Sequence, residues 1–353
     1  MIVGWITQGG LVYDEAGRPS SGLASARYRV ILPAQAMAPY GILSKIVQVT
    51  KETTEADFDH RAFDDVDVLV VSKSFNPLNE RIAARVRDRG RPVVVDLCDD
   101  HFAAEEGEHH RRLLELADVV IANTPWMARR IHEETGREAI IIPDPCEGER
   151  QPPRFRPQPG RLRLLWFGSD TQITTITEFL PRLREELRSH LQHLEVELVT
   201  NEREDLEAQI EGYNQFHAPY MTLRYTPWDL GVTEAALARA DAVVIPSRNE
   251  LKYFAKSANR LLLSLWNGRF VSAWPLPEYR QFASWAHIGE EIVEGLLWAL
   301  GHPQEVELGI ARAQDYIQAN YSPEKVGEVW YRLFCEGLDR FERKPLEMNE
   351  VGA

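Results

Sequence analysis

The chain has 353 residues, 44% of them hydrophobic, a size that suits two globular domains of roughly 150 to 180 residues each. A formal net charge of -14 repels polyanions and argues against a nucleic-acid partner. No apolar run approaches the roughly 20 residues that cross a bilayer, and the 3 cysteines (Cys98, Cys146, Cys335) are too far apart for a metal or redox CxxC pair or for expected disulfides.

In chain order, Met1-Ile2-Val3-Gly4-Trp5-Ile6 has no basic leader and reads as a first buried strand, so a cytoplasmic protein is expected. Apolar runs at 44–49, 66–72, 92–97, 119–122 and 139–142 then alternate with helical stretches at 79–88, 105–116 and 125–135. This is the pattern of βα units around a parallel sheet buried on both faces. On or just after the first of these helices stand Arg81, Arg85, Arg87, Arg89 and Arg91, and a second basic group, Arg154, Arg156, Arg161 and Arg163, follows later. Each group reads either as a solvated face or as a dock for anionic lipid, so peripheral membrane contact is one candidate partnership.

Six prolines between Pro143 and Gly160 break the rhythm. The boundaries that follow are a first domain at 1–145, a linker at 146–160, a second domain at 161–322, a C-terminal helix at 323–341 that could cross back to the first domain, and a tail at 342–353. In the second domain the strands are expected at 162–167, 196–200, 221–225, 242–245 and 269–273, with helices at 175–188, 233–239 and 257–266. Beyond Pro275 only helices are expected, at 289–300, 305–319 and 323–340. The fold class is α/β, two Rossmann-like doubly wound sheets whose carboxyl ends share a crevice.

Local residues carry more. The stretch 240–247 (ADAVVIPS), then Lys256-Ser257-Ala258-Asn259-Arg260, then Gly268-Arg269-Phe270-Val271, resembles the donor segment of GT-B glycosyltransferases of the large retaining group that includes sucrose and glycogen synthases. Weaker likenesses lie at Trp166-Phe167-Gly168-Ser169, Gly9-Gly10, Ser25 to Arg29, Asp96 to Asp100 and Pro143-Asp144-Pro145. The resemblance implies a GT-B fold and a retaining transfer of a sugar from a nucleotide-sugar co-substrate to an acceptor hydroxyl. The acceptor would be a glycan, a lipid-linked sugar or a small molecule, and no metal cofactor would be required. One departure stands out: the second of two donor-site glutamates common in that group falls on Leu263, and Glu250 matches the first only with altered spacing.

The residues themselves suggest the roles. Ser257 reads as an N-cap whose helix start offers free N–H groups and a positive dipole to an anion. Lys256 and Arg260 would add full charges, Asn259 a hydrogen bond, and Gly168 and Ser169 backbone N–H groups beside a phosphate. An ordinary capped helix with surface cations is the competing reading. Asp96, Asp99 and Asp100 cluster at a strand's carboxyl end, where a doubly wound sheet places functional groups. By resemblance this segment faces sugar and acceptor, with Asp99 as the candidate to orient the hydroxyl or stabilise the anomeric carbon; a hydrogen-bonding cluster is the alternative. Gly9 and Gly10 would let a sugar approach, and Arg27, Arg29 and His101 would hold an anionic acceptor or donor group; a turn and structural ion pairs explain them equally well. The acids with His101, His109 and His110 also have the composition of a divalent-cation site, although adjacent histidines on a helix diverge. A nucleotide-sugar epimerase and a non-catalytic nucleotide-binding homologue remain rival functions.

Overall fold

The computed structural model describes residues 1–59, 61–73 and 75–337, so the expected tail at 342–353 and the end of the last helix lie outside the described residues. In the first half β1 (Ile2–Thr7) leads into a small antiparallel hairpin of β2 (Leu11–Tyr13) and β3 (Pro19–Ser21). Then come β4 (Leu43–Gln48), β5 (Val68–Ser72), β6 (Val93–Leu97), β7 (Val119–Ala122) and β8 (Ile140–Ile141). They form a six-stranded sheet in the order β4-β1-β5-β6-β7-β8, with every pairing parallel. The valine-rich β5, β6 and β7 are buried along their whole length, as strands covered on both faces must be.

The second half repeats the plan. Its strands are β9 (Arg161–Phe167), β10 (His193–Thr200), β11 (Met221–Pro227), β12 (Ala242–Ile245), β13 (Phe270–Ala273) and β14 (His287–Ile288), ordered β11-β10-β9-β12-β13-β14 and all parallel. This is the doubly wound Rossmann order, with its switch point between β9 and β12; in the first sheet the switch point falls between β1 and β5.

Three details differ from the sequence expectation. A strand does follow Pro275, since the two residues of β14 pair with β13; so short a run leaves no periodic signal. The hairpin β2–β3 and the helix Glu204–His217 were not anticipated, and the latter buries only Leu206 and Ile210. The stretch 175–188 splits into Ile173–Thr177 and Leu180–Leu187, with Pro181 in the first turn of the second helix, where a missing N–H does no harm. Arg27 and Arg29 follow the loop at Gly22-Leu23 and stand in a π-helical turn, Arg27–Ile31, that joins the short helix Ala24–Ala26 to the helix Leu32–Met37.

The Pro-rich connection is pinned to the second half: Gln151 N–H donates to the Trp266 carbonyl (2.9 Å), Arg154 N–H to that of Gly268 (2.9 Å), and Phe155 packs edge-on against Phe270 at 5.9 Å. The helix Pro323–Arg332 instead packs on the first half, where buried Trp330 meets Trp5 at 5.2 Å. The basic face at 81–91 is not a free stripe. Arg81 pairs with Glu55, Arg85 and Arg89 with Asp64, Arg87 with Asp118 and Arg91 with Asp67. No helix among the described residues is long and apolar enough to cross a membrane.

Candidate functional site

The carboxyl ends of both sheets open onto one cavity of about 620 Å3. From the first half come Asp99, just beyond β6, and Lys73, just beyond β5; from the second come Lys256, Ser257, Asn259, Arg260 and the Gly168-Ser169 turn that follows β9. Asp99 sits between two ammonium groups, 2.5 Å from Lys256 Nζ and 2.6 Å from Lys73 Nζ, so its carboxylate joins the two halves. Burial works against that charge, but Lys256 and Lys73 outweigh it and hold the Asp99 pKa well below the usual carboxylate range. Lys73 is also the one non-glycine with a left-handed backbone among the described residues, at φ 44°, a conformation that carries strain and is frequent at functional sites.

A second link crosses beside the first. Asn259 Nδ2 donates to Asp144 (2.7 Å), whose other oxygen accepts from Arg29 Nη1 (3.0 Å). Arg29 grips Asp96 with Nε at 3.0 Å and Nη2 at 2.6 Å, while the Ser72 hydroxyl donates to the same carboxylate at 2.9 Å. Asp96 is fully buried and absent from the cavity wall, which corrects the expectation that it acts on substrate: it neutralises Arg29 inside the protein. Arg29 reaches the wall with its guanidinium already committed to Asp96, Asp144 and the Ile142 carbonyl.

Several other candidates lie elsewhere. Asp100 is held by Arg130 at 2.9 Å and stands outside the wall. His101 also stands outside it, edge-on to Phe75 at 4.9 Å, and burial pushes its pKa down. Gly9 and Gly10 do not line the cavity; a Cβ on Gly9 would meet that of Ala26 at 2.7 Å, so its smallness serves packing beneath the segment whose Leu23, Ala24 and Ser25 line the wall, and Gly10 faces open space. Glu250 pairs with Lys252 at 2.8 Å and is likewise outside. Arg27 does line the cavity, with its Nε 2.8 Å from Glu147.

On the second half Ser257 faces the cavity without capping anything. The helix begins later, at Asn259–Trp266, with Ala258 as N-cap and no side-chain cap bond, so its first N–H groups have no side-chain acceptor. Arg260 Nη1 comes to 3.2 Å from where a Gly168 Cβ would sit, which keeps that turn open to a guanidinium. Ser169 lines the wall and accepts from Thr171 N–H at 3.4 Å. Leu263 does lie on the wall, an apolar side chain where the resemblance would place a carboxylate. Sequence reading missed Lys73 and Asn123, although both follow recognisable strands by one residue; it also missed Trp228, directly after β11, and Thr233 and Glu234, at the start of an expected helix. Among the described residues no group of three or more His, Cys, Asp or Glu is arranged to hold a metal ion.

Two Rossmann-like halves sharing one cleft between their switch points make this a GT-B fold. No protein-family model and no curated protein matches the sequence. Solved structures do share the architecture. The Escherichia coli structure described as trehalose-6-phosphate bound with UDP-2-fluoro glucose aligns with a TM-score of 0.64 at 10% identity, over 94% of this chain and 98% of that one. The lipopolysaccharide outer core galactosyltransferase WaaB aligns at 0.58 and 10%, over 95% and 99%. Staphylococcus aureus TarM in complex with UDP aligns at 0.55 and 12%, over 76% of this chain and 55% of TarM, so the chain spans about half the length of that relative. A putative UDP-N-acetylglucosamine 2-epimerase from Listeria monocytogenes aligns at 0.58 and 11%, over 96% and 97%. The chain resembles GT-B glycosyltransferases in fold across both of its halves.

Proposed function

We propose that the protein is a glycosyltransferase that moves a sugar from a nucleoside diphosphate sugar to an acceptor hydroxyl with retention at the anomeric carbon. One observation carries the reading. Lys256, Arg260 and an uncapped helix start face an ionised Asp99 across a single cavity. The first set suits a pyrophosphate leaving group, which keeps the electron pair of the broken glycosidic bond and requires fixed positive charge in a water-poor site. Asp99, held ionised by its lysines, stabilises the positive charge that develops on the anomeric carbon. The acceptor, a glycan, lipid-linked sugar or small molecule, enters from the first half, and cleft closure completes the site. Lysine and arginine supply the countercharge, so transfer is expected without a metal.

Two other readings have an observation behind them. The Listeria neighbour favours an epimerase, but such chemistry needs a group that exchanges a proton near neutral pH. Asp99 is held too acidic for that, and Asp96 is buried against Arg29. Leu263 on the wall favours a binding module without catalysis. Incubation with a panel of nucleotide sugars, with and without acceptors, separates the three. Acceptor-dependent release of nucleoside diphosphate supports transfer, an inverted free donor sugar supports epimerisation, and tight binding with neither product supports a module.

A further inference from the structure

Asp99 divides its two carboxylate oxygens between the halves of the molecule. Lys256 Nζ lies 2.5 Å from Oδ1, and Lys73 Nζ lies 2.6 Å from Oδ2. The two contacts differ in origin. Lys73 and Asp99 stand just beyond β5 and β6, paired strands of one sheet, and Lys73 N–H donates to the Asp96 carbonyl at 3.2 Å, so movement of one half against the other leaves this pair together. Lys256 comes from the second half and is the more open to a ligand, its side chain 42% exposed against 24% for Lys73. The left-handed backbone of Lys73, at φ 44°, is a conformation that persists where the surroundings enforce it.

Two ammonium groups on one carboxylate leave a cation to spare, and a diphosphate seated on Lys256 takes that one from Asp99. The Asp99 side chain is only 13% exposed, so without a second partner it would become a buried, unpaired charge and would tend to take up a proton. We propose that Lys73 is the positioning residue that keeps Asp99 in place and ionised once the donor diphosphate has taken Lys256; this rests on the nucleotide-sugar reading above. Lys73 acts through Asp99 and touches neither phosphate nor sugar.

The other titratable groups described around Asp99 supply no free positive charge. Cys98 and His101 flank it on its own segment; burial pushes the thiol pKa up and the imidazole pKa down, which leaves both neutral at neutral pH. Asp144, whose charge also acts on Lys73, is bonded to Arg29 and Asn259.

A double-mutant cycle read by calorimetry tests the assignment. Whichever of UDP, GDP, ADP and dTDP binds the full chain most tightly is titrated into the wild type, Lys73→Gly, Asp99→Ala and the double variant; glycine is chosen because it accepts φ 44° without strain. Lys73→Gly should weaken binding by about tenfold, because the ligand then leaves Asp99 without a partner. In the Asp99→Ala background the same substitution should change the affinity by less than about twofold. Protons give a second readout. In Lys73→Gly the Asp99 pKa would be higher in the complex than in the free protein, so binding takes up protons and the deficit against the wild type should narrow as pH falls from 7 to about 5. If Lys73→Gly does not fold, Lys73→Met, which keeps the stem without the charge, runs the same cycle. Equal weakening in both backgrounds would mean that Lys73 holds the diphosphate directly, and no weakening in either would mean that Asp99 needs no second cation. Each of these overturns the proposal and leaves the pyrophosphate site standing, whereas failure of all four ligands to bind the wild type would overturn both.

Discussion

Asp99 and Lys256 meet across the cleft at 2.5 Å, so a carboxylate of one half occupies the cation that the proposed function assigns to the donor diphosphate on the other. A diphosphate must displace that carboxylate to reach Lys256. Asp99→Ala should therefore tighten nucleoside diphosphate binding by about fivefold, as expected when a partly exposed pair worth about 1 kcal/mol stops competing. The same variant should lose sugar transfer. Calorimetry paired with a product assay reads both, and weaker binding in the variant would contradict the arrangement.

The pair also has a signature in pH. The folded-state pKa of Asp99 is depressed by Lys256 and Lys73 against the effect of burial. Its stabilising contribution is thus present above the unfolded carboxylate value and is lost as pH falls through the lower folded value. Urea denaturation of the wild type and Asp99→Asn should show a constant difference from pH 8 to about pH 5, shrinking only under stronger acid. A difference that vanished near neutral pH would point to another group, His101 being an ionisable neighbour that interacts with Asp99.

Asp96 and Arg29 behave as structure. Both are essentially fully buried, and removing either leaves the other charged in the interior. Asp96→Ala or Arg29→Ala should cost about 3 to 5 kcal/mol of stability, read as a lowered urea midpoint. A folded Asp96→Ala protein of normal stability without transfer activity would instead point to Asp96 acting on substrate.

Trp330 ties the C-terminal helix to the first half through Trp5, which Phe334 from the following turn of that helix also meets at 6.2 Å. Trp330→Ala should cost about 3 to 5 kcal/mol, the range for deleting a large buried aromatic. Limited proteolysis should then cut near the start of that helix. An unchanged cleavage pattern would mean the helix is held by other contacts.

The architecture was legible because valine- and leucine-rich runs such as 68–72 and 93–97, short and bounded by polar loops, suit strands buried on both faces, and because six prolines mark the connection. Elements without a core stripe, such as Glu204–His217, or with too few residues, such as β14, gave no period to read. The site was legible only along the chain. Lys256, Arg260 and Asp99 follow from segment order and the carboxyl-end rule, whereas the burial of Asp96 depends on Arg29, 67 positions away. Ser257 failed as a cap for a local reason: the chain turns into helix two residues later, beyond its hydroxyl.

The most direct measurement is calorimetric titration of a nucleoside diphosphate into the wild type, Lys256→Ala and Arg260→Ala, with melting curves confirming that each variant is folded. Micromolar-range binding by the wild type, weakened by about tenfold or more in each variant, is the result this account predicts. Equal affinity in all three folded proteins would contradict it, because the pyrophosphate would then lie somewhere other than the start of the Asn259–Trp266 helix.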